Sequence, residues 1–71
     1  MDDIILQIAA RIKELRIEKG YSSHEFFAWE NKTPRVQYWR MEKGTNFTIK
    51  TLLRVLDVHE ISLEYFFDGL E

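Results

Sequence analysis

The stretch Thr33–Gly44, TPRVQYWRMEKG, reads as one short helix with a marked start and a marked stop. Thr33 is expected to cap its N-terminus, and Pro34 suits the first helical position, where a missing N–H costs nothing. Gly44 supplies the left-handed residue that ends it. Between these marks Tyr38 and Met41 form the one obvious inward pair at helical spacing. Arg35, Val36, Gln37, Trp39, Arg40 and Lys43 are left for the other faces. A helix so lean in core and so rich in outward donors points away from a purely structural role.

Working outward, helices are expected nearly everywhere. Asp2 or Asp3 can cap a first helix running to about Lys19, where Gly20 stops it. Its Ile5, Ile8, Ile12 and Leu15 recur at three- and four-residue steps, the mark of one buried stripe. Ser22 or Ser23 caps a second helix over about His24–Glu30, with Phe27 and Ala28 inward. Asn31 and Lys32 then make a tight turn in which Asn31 is the expected left-handed residue. Thr48 caps a fourth helix through about Val58, with Ile49, Leu52, Leu53 and Leu56 apolar, and Ser62 caps a short fifth, LEYFFDGL. No strand-like alternation, hairpin dipeptide, repeat or linker interrupts the pattern. The expected architecture is a compact all-α bundle of about five helices, one domain over residues 1–71.

Composition supports a packed domain. The chain is 45% hydrophobic, well above what a disordered segment carries. It has no cysteine, so neither disulfides nor thiolate metal sites hold it together. No apolar run approaches the roughly 20 residues of a membrane span, and Ile4–Ala10 lacks the basic leader of a signal peptide. A soluble cytoplasmic protein without a membrane partner is expected. The net charge of −2 argues weakly against nucleic acid, but its distribution argues the other way. Residues 32–56 carry Lys32, Arg35, Arg40, Lys43, Lys50 and Arg54 against Glu42 alone, a net of +5. The last fifteen residues carry five acids and no base. The quoted helix lies in the one basic segment of an acidic protein.

Ala28 is the lone small residue on a bulky face of the second helix, so the third helix should cross there. The two would form a helix-turn-helix over about residues 23–43. A helix with its side chains is about 10–12 Å across, and the major groove is about 12 Å wide.

The fragments RIKELRIEKG, FFAWEN, YWRMEKG, IKTLLRVL and ISLEYFF, in this order and spacing, resemble the phage repressor and Cro type (XRE family) of helix-turn-helix proteins. The likeness spans about residues 8–67. Two features depart from the family: Asn31–Lys32 replaces a common turn glycine, and one extra residue separates Gly20 from the second helix. The resemblance implies a lambda repressor-like domain that binds double-stranded DNA as a transcriptional regulator, usually as a homodimer and associated with the nucleoid. It implies base contacts from Arg35, Val36, Gln37 and Arg40, and phosphate contacts from His24, Thr33, Lys43 and Asn46. The chemistry is apt: Arg pairs with guanine, Gln with adenine, and Val presses on a thymine methyl. Trp39 is expected to pack half-buried beside this surface.

Glu42 sits in the last turn of its helix, where the macrodipole disfavours a carboxylate by about 0.3–1 kcal/mol. A compensating cation is required, and the resemblance implies Arg16. The tail Tyr65, Phe66, Phe67 and Leu70 is richer in large apolar groups than one short helix buries, so its surplus is a candidate homodimer patch.

Catalysis is not expected. His24 and His59 stand far apart without cysteine, no glycine-rich phosphate loop exists, and the serines read as helix caps. No metal, cofactor or small-molecule ligand is implied. The competing expectation is a protein-interaction module, antitoxin-like or partner-binding, that uses Trp29, Trp39 and the aromatic tail.

Overall fold

Among the described residues there are five helices: α1 (Asp2–Glu18), α2 (His24–Glu30), α3 (Arg35–Lys43), α4 (Ile49–Val58) and α5 (Leu63–Asp68). The computed structural model describes residues 2–68 and 70. Gly69, within the stretch expected as the fifth helix, lies outside the described residues. Among the described residues there is no strand, and no helix is long and apolar enough to cross a membrane.

The helix ends follow from hydrogen bonds that short side chains supply locally. Ser23 Oγ accepts from the Phe26 N–H at 3.0 Å, and Thr48 Oγ1 accepts from the Thr51 N–H at 3.2 Å. Ser62 Oγ accepts from the Tyr65 N–H at 3.0 Å. Each satisfies a donor that the first helical turn leaves without a partner. Asp2 and Asp3, expected as caps of α1, fall within the helix, and their side chains lie outside the described residues.

The turn between α2 and α3 departs from expectation in two ways. Asn31 is not its left-handed residue: it lies at φ −99°, and its side-chain Nδ2 donates to Phe27 O at 2.9 Å, closing the end of α2. Lys32 takes the left-handed conformation instead, at φ 55°, and its carbonyl accepts from Arg54 Nη1 at 2.7 Å. That bond from α4 holds a conformation that lysine by itself disfavours. The second departure concerns Thr33, which does not cap α3. Pro34 is the N-cap, with no side-chain capping bond, and its carbonyl accepts from the Tyr38 N–H at 2.9 Å. Thr33 is folded into the turn at 6% exposure, its N–H donating to Ala28 O and its hydroxyl to Asn31 O.

Gly44 ends α3 at φ +78°, and the Thr45 N–H donates back to Arg40 O at 3.0 Å. A Cβ there would stand 2.9 Å from Leu6 Cδ2, the movable end of a side chain, so backbone strain outweighs the clash. Gly44→Ala should cost about 1–2 kcal/mol, because the left-handed region crowds any Cβ against its own carbonyl. The thermal midpoint should fall by about 4–8 °C for each kcal/mol lost. An unchanged midpoint would refute the strain.

The core joins Ile8 and Ile12 of α1, Phe27 and Ala28 of α2, Tyr38 and Met41 of α3, Leu52, Val55 and Leu56 of α4, and Phe66 of α5. Phe27 is its hub: Tyr38 stacks on it at 4.8 Å between centroids, His59 at 5.4 Å, and Tyr21 meets it edge-on at 5.2 Å. Ala28 is fully buried where α2 packs on α3, as its small size allows. Only two of the four apolar residues noted in α4 turn inward. Thr51 and Val55 are buried with Leu52 and Leu56, whereas Ile49 (61% exposed) and Leu53 face outward. Thr51 fits inside because its hydroxyl is paired with that of Thr48 at 3.0 Å.

His59 caps the end of α4 against Phe27. Burial, helped by the Lys19 charge, holds its imidazole below the ordinary value of 6.5. The unfolded chain therefore binds the proton more tightly than the folded one. This group's contribution is complete above about pH 6.5 and declines as the pH falls from there through the lower folded value. Urea midpoints at about pH 7 and about pH 5 should diverge less in His59→Gln than in wild type. Equal divergence would remove His59 from the account.

Candidate nucleic-acid interface

α3 lies in the middle of the fold, packed on α1, α2 and α4 through Tyr38 and Met41. Those contacts leave Arg35, Val36, Trp39, Arg40 and Lys43 exposed. Their spacing places them along one side of the helix. Among the described residues, neither Arg35, Arg40 nor Lys43 forms an ion pair. Trp39 is 42% exposed, in keeping with the half-buried packing expected of it, and Lys43 Nζ stands 5.8 Å from its ring centroid. The tryptophan thus belongs to the outer face and screens the stem of a cation there.

The N-terminus of α2 adjoins this face. His24, Glu25, Arg35, Val36 and Trp39 line one shallow hollow. His24, Arg35 and Val36 are thereby brought together, along with Glu25, which the sequence reading did not single out. Asn46 is exposed but lines a separate hollow with Leu6, Phe47, Ile49 and Phe67. Thr33, buried and bonded within the turn, is withdrawn from the phosphate-contacting set.

Gln37 is on the flank of α3 rather than free. Its Oε1 accepts from the Thr48 N–H at 3.1 Å, which joins α3 to the start of α4. The bidentate pairing with adenine expected of it needs that oxygen. Thr48 was missed as a partner because the pair lies eleven residues apart, and nothing in helical spacing links them.

The orientation of α3 rests on a second long-range tie. Arg16 Nε donates to Glu42 Oε2 at 2.7 Å and Nη2 to Oε1 at 3.2 Å, while Nη1 donates to Tyr21 O at 2.9 Å. One guanidinium therefore joins α1, the α1–α2 loop and the last turn of α3. The two side chains are 6% and 9% exposed, so little water competes for these bonds. The Glu42 bond raises the Arg16 pKa above its ordinary value, so the guanidinium stays charged. The neighbouring Tyr38 phenol is pushed well above its usual value, chiefly by burial and further by the Glu42 carboxylate, so it stays neutral.

Among the described residues no group of three or more His, Cys, Asp or Glu is placed to hold a metal ion. No family model matches the chain, and no curated protein or solved structure matches it either.

Proposed function

We propose that the chain is a sequence-specific DNA-binding transcriptional regulator of the phage repressor and Cro type, without catalytic activity, that places α3 in the major groove. One observation carries the reading: Arg35, Val36, Arg40 and Lys43 share the open side of a helix whose other side is core, and their charges are not spent on internal ion pairs among the described residues. A helix held this way matches the groove in width, and its donors match base edges and phosphates. Arg35, Val36 and Arg40 are the base-contacting set, with Gln37 beside them on the flank of α3; His24, Lys43 and Asn46 are the phosphate-contacting set.

The exposed Tyr65 and Phe67 support a homodimer through the C-terminal aromatic segment, whereas Phe66 is spent on the core. A two-fold dimer would set two α3 helices about 34 Å apart, one turn of DNA. A cytoplasmic, nucleoid-associated location follows from the same proposal.

The test is binding of duplex DNA as salt is raised. Affinity should fall steeply, with a logarithmic slope of about −0.9 for each phosphate neutralised. Lys43→Ala should lower that slope by about 1 and weaken all sequences alike. No binding to any duplex at low salt would sink the proposal. It would favour the partner-binding module instead, for which the observation is a stacked exposed pair on α2, Phe26 and Trp29, with Trp29 at 76% exposure.

A further inference from the structure

We infer that Gln37 meets DNA with its N–H donors alone, because the backbone of Thr48 holds its carbonyl oxygen. The inference rests on the proposed reading of α3 as the groove element and deepens it.

An N–H donor can be met only by the oxygen end of a glutamine amide, so the Thr48 N–H fixes which way Gln37 faces. The donor itself is not free to move. Thr48 is the N-cap of α4, its Oγ1 bonded to the Thr51 N–H and to the Thr51 hydroxyl. The N–H of an N-cap has no acceptor inside its own helix, so Gln37 satisfies a group the fold would otherwise leave to solvent. Gln37 is itself partly buried on the flank of α3, which limits its rotamers.

Pairing with adenine requires oxygen and nitrogen of one amide along one base edge, the oxygen accepting from the N6 amino group. With Oε1 turned to Thr48, the open end of the amide is Nε2 and its two hydrogens. That end suits the acceptors of the groove: guanine O6 and N7, adenine N7, thymine O4. It has nothing to offer the amino groups of adenine or cytosine. Thr48 is thus a positioning residue, and Gln37 discriminates by the acceptors a base pair presents.

Duplexes selected by the wild-type protein from a random pool supply a site, and Gln37→Ala locates the base pair at which discrimination is lost. Each base pair carries one amino group in the major groove, adenine N6 or cytosine N4. That group is deleted at the located pair, with purine in place of adenine or pyrimidin-2-one in place of cytosine. Affinity is then compared for wild type and Gln37→Ala, so that changes in duplex stability cancel. The expected result is the same change in both proteins, to within about twofold. A loss about tenfold larger in wild type would mean that Oε1 accepts from the amino group, and overturns the inference. A Gln37→Ala protein that discriminates like wild type at every pair also overturns it, with the proposed function intact. Failure of the wild-type protein to retain any duplex overturns both.

Discussion

Glu42→Ala is expected to lose about 3–5 kcal/mol of folding stability, because it leaves a buried guanidinium without its carboxylate. A 71-residue domain holds about 4–10 kcal/mol in all, so the variant should be close to unfolding at body temperature. The thermal midpoint should drop by about 15–30 °C. Arg16→Ala should do similar damage for the converse reason, leaving a nearly buried carboxylate and an unpaired Tyr21 carbonyl. The double variant Arg16→Met with Glu42→Leu should recover much of the loss, since an apolar pair of similar volume needs no compensation. Urea unfolding followed by circular dichroism reads all three. A loss below about 1 kcal/mol in Glu42→Ala would show that the site admits water and that the pair behaves as a surface contact.

The second large effect is on binding and leaves folding alone. Arg35→Ala and Arg40→Ala should each cost about 1–3 kcal/mol at a selected operator, with discrimination relaxed at one base pair apiece. Combined, they should weaken operator binding about a hundredfold or more if the two contacts are independent. Unrelated duplex should lose far less. The thermal midpoints should stay within about 0.5 kcal/mol equivalent of wild type, because both side chains are exposed and neither is ion-paired among the described residues. Fluorescence anisotropy against operator and random duplex separates these outcomes. Equal loss on both duplexes would reassign the arginines from base edges to phosphates.

The two predictions divide along what could be anticipated. The Arg16–Glu42 tie was expected because an acid in the last turn of a helix calls for a cation, and the family resemblance nominated which one. The rest of the site was less legible. Val36, Arg35 and Arg40 lie on the open side, as helical spacing implied, but Thr33 is committed to the turn and Gln37 has its oxygen held by Thr48. Trp39, expected half-buried, is 42% exposed, while Tyr38 and Met41 are the residues of α3 in the core.

Helix identity and most helix ends were written in the sequence, since their causes are local. Ser23, Thr48 and Ser62 each bond an N–H three residues on, and Gly20 and Gly44 each supply a left-handed stop. A span of a few residues contains everything such a bond needs. What only the tertiary structure decided are the pairings between distant positions: Arg54 holding Lys32 across 22 residues, Thr48 holding the Gln37 oxygen across eleven, and the orientation of α4 that turns Leu53 out and Thr51 in. These depend on which helix faces which. No periodicity specifies that, because a donor can bond to any well-placed oxygen and packing alone selects the one within reach.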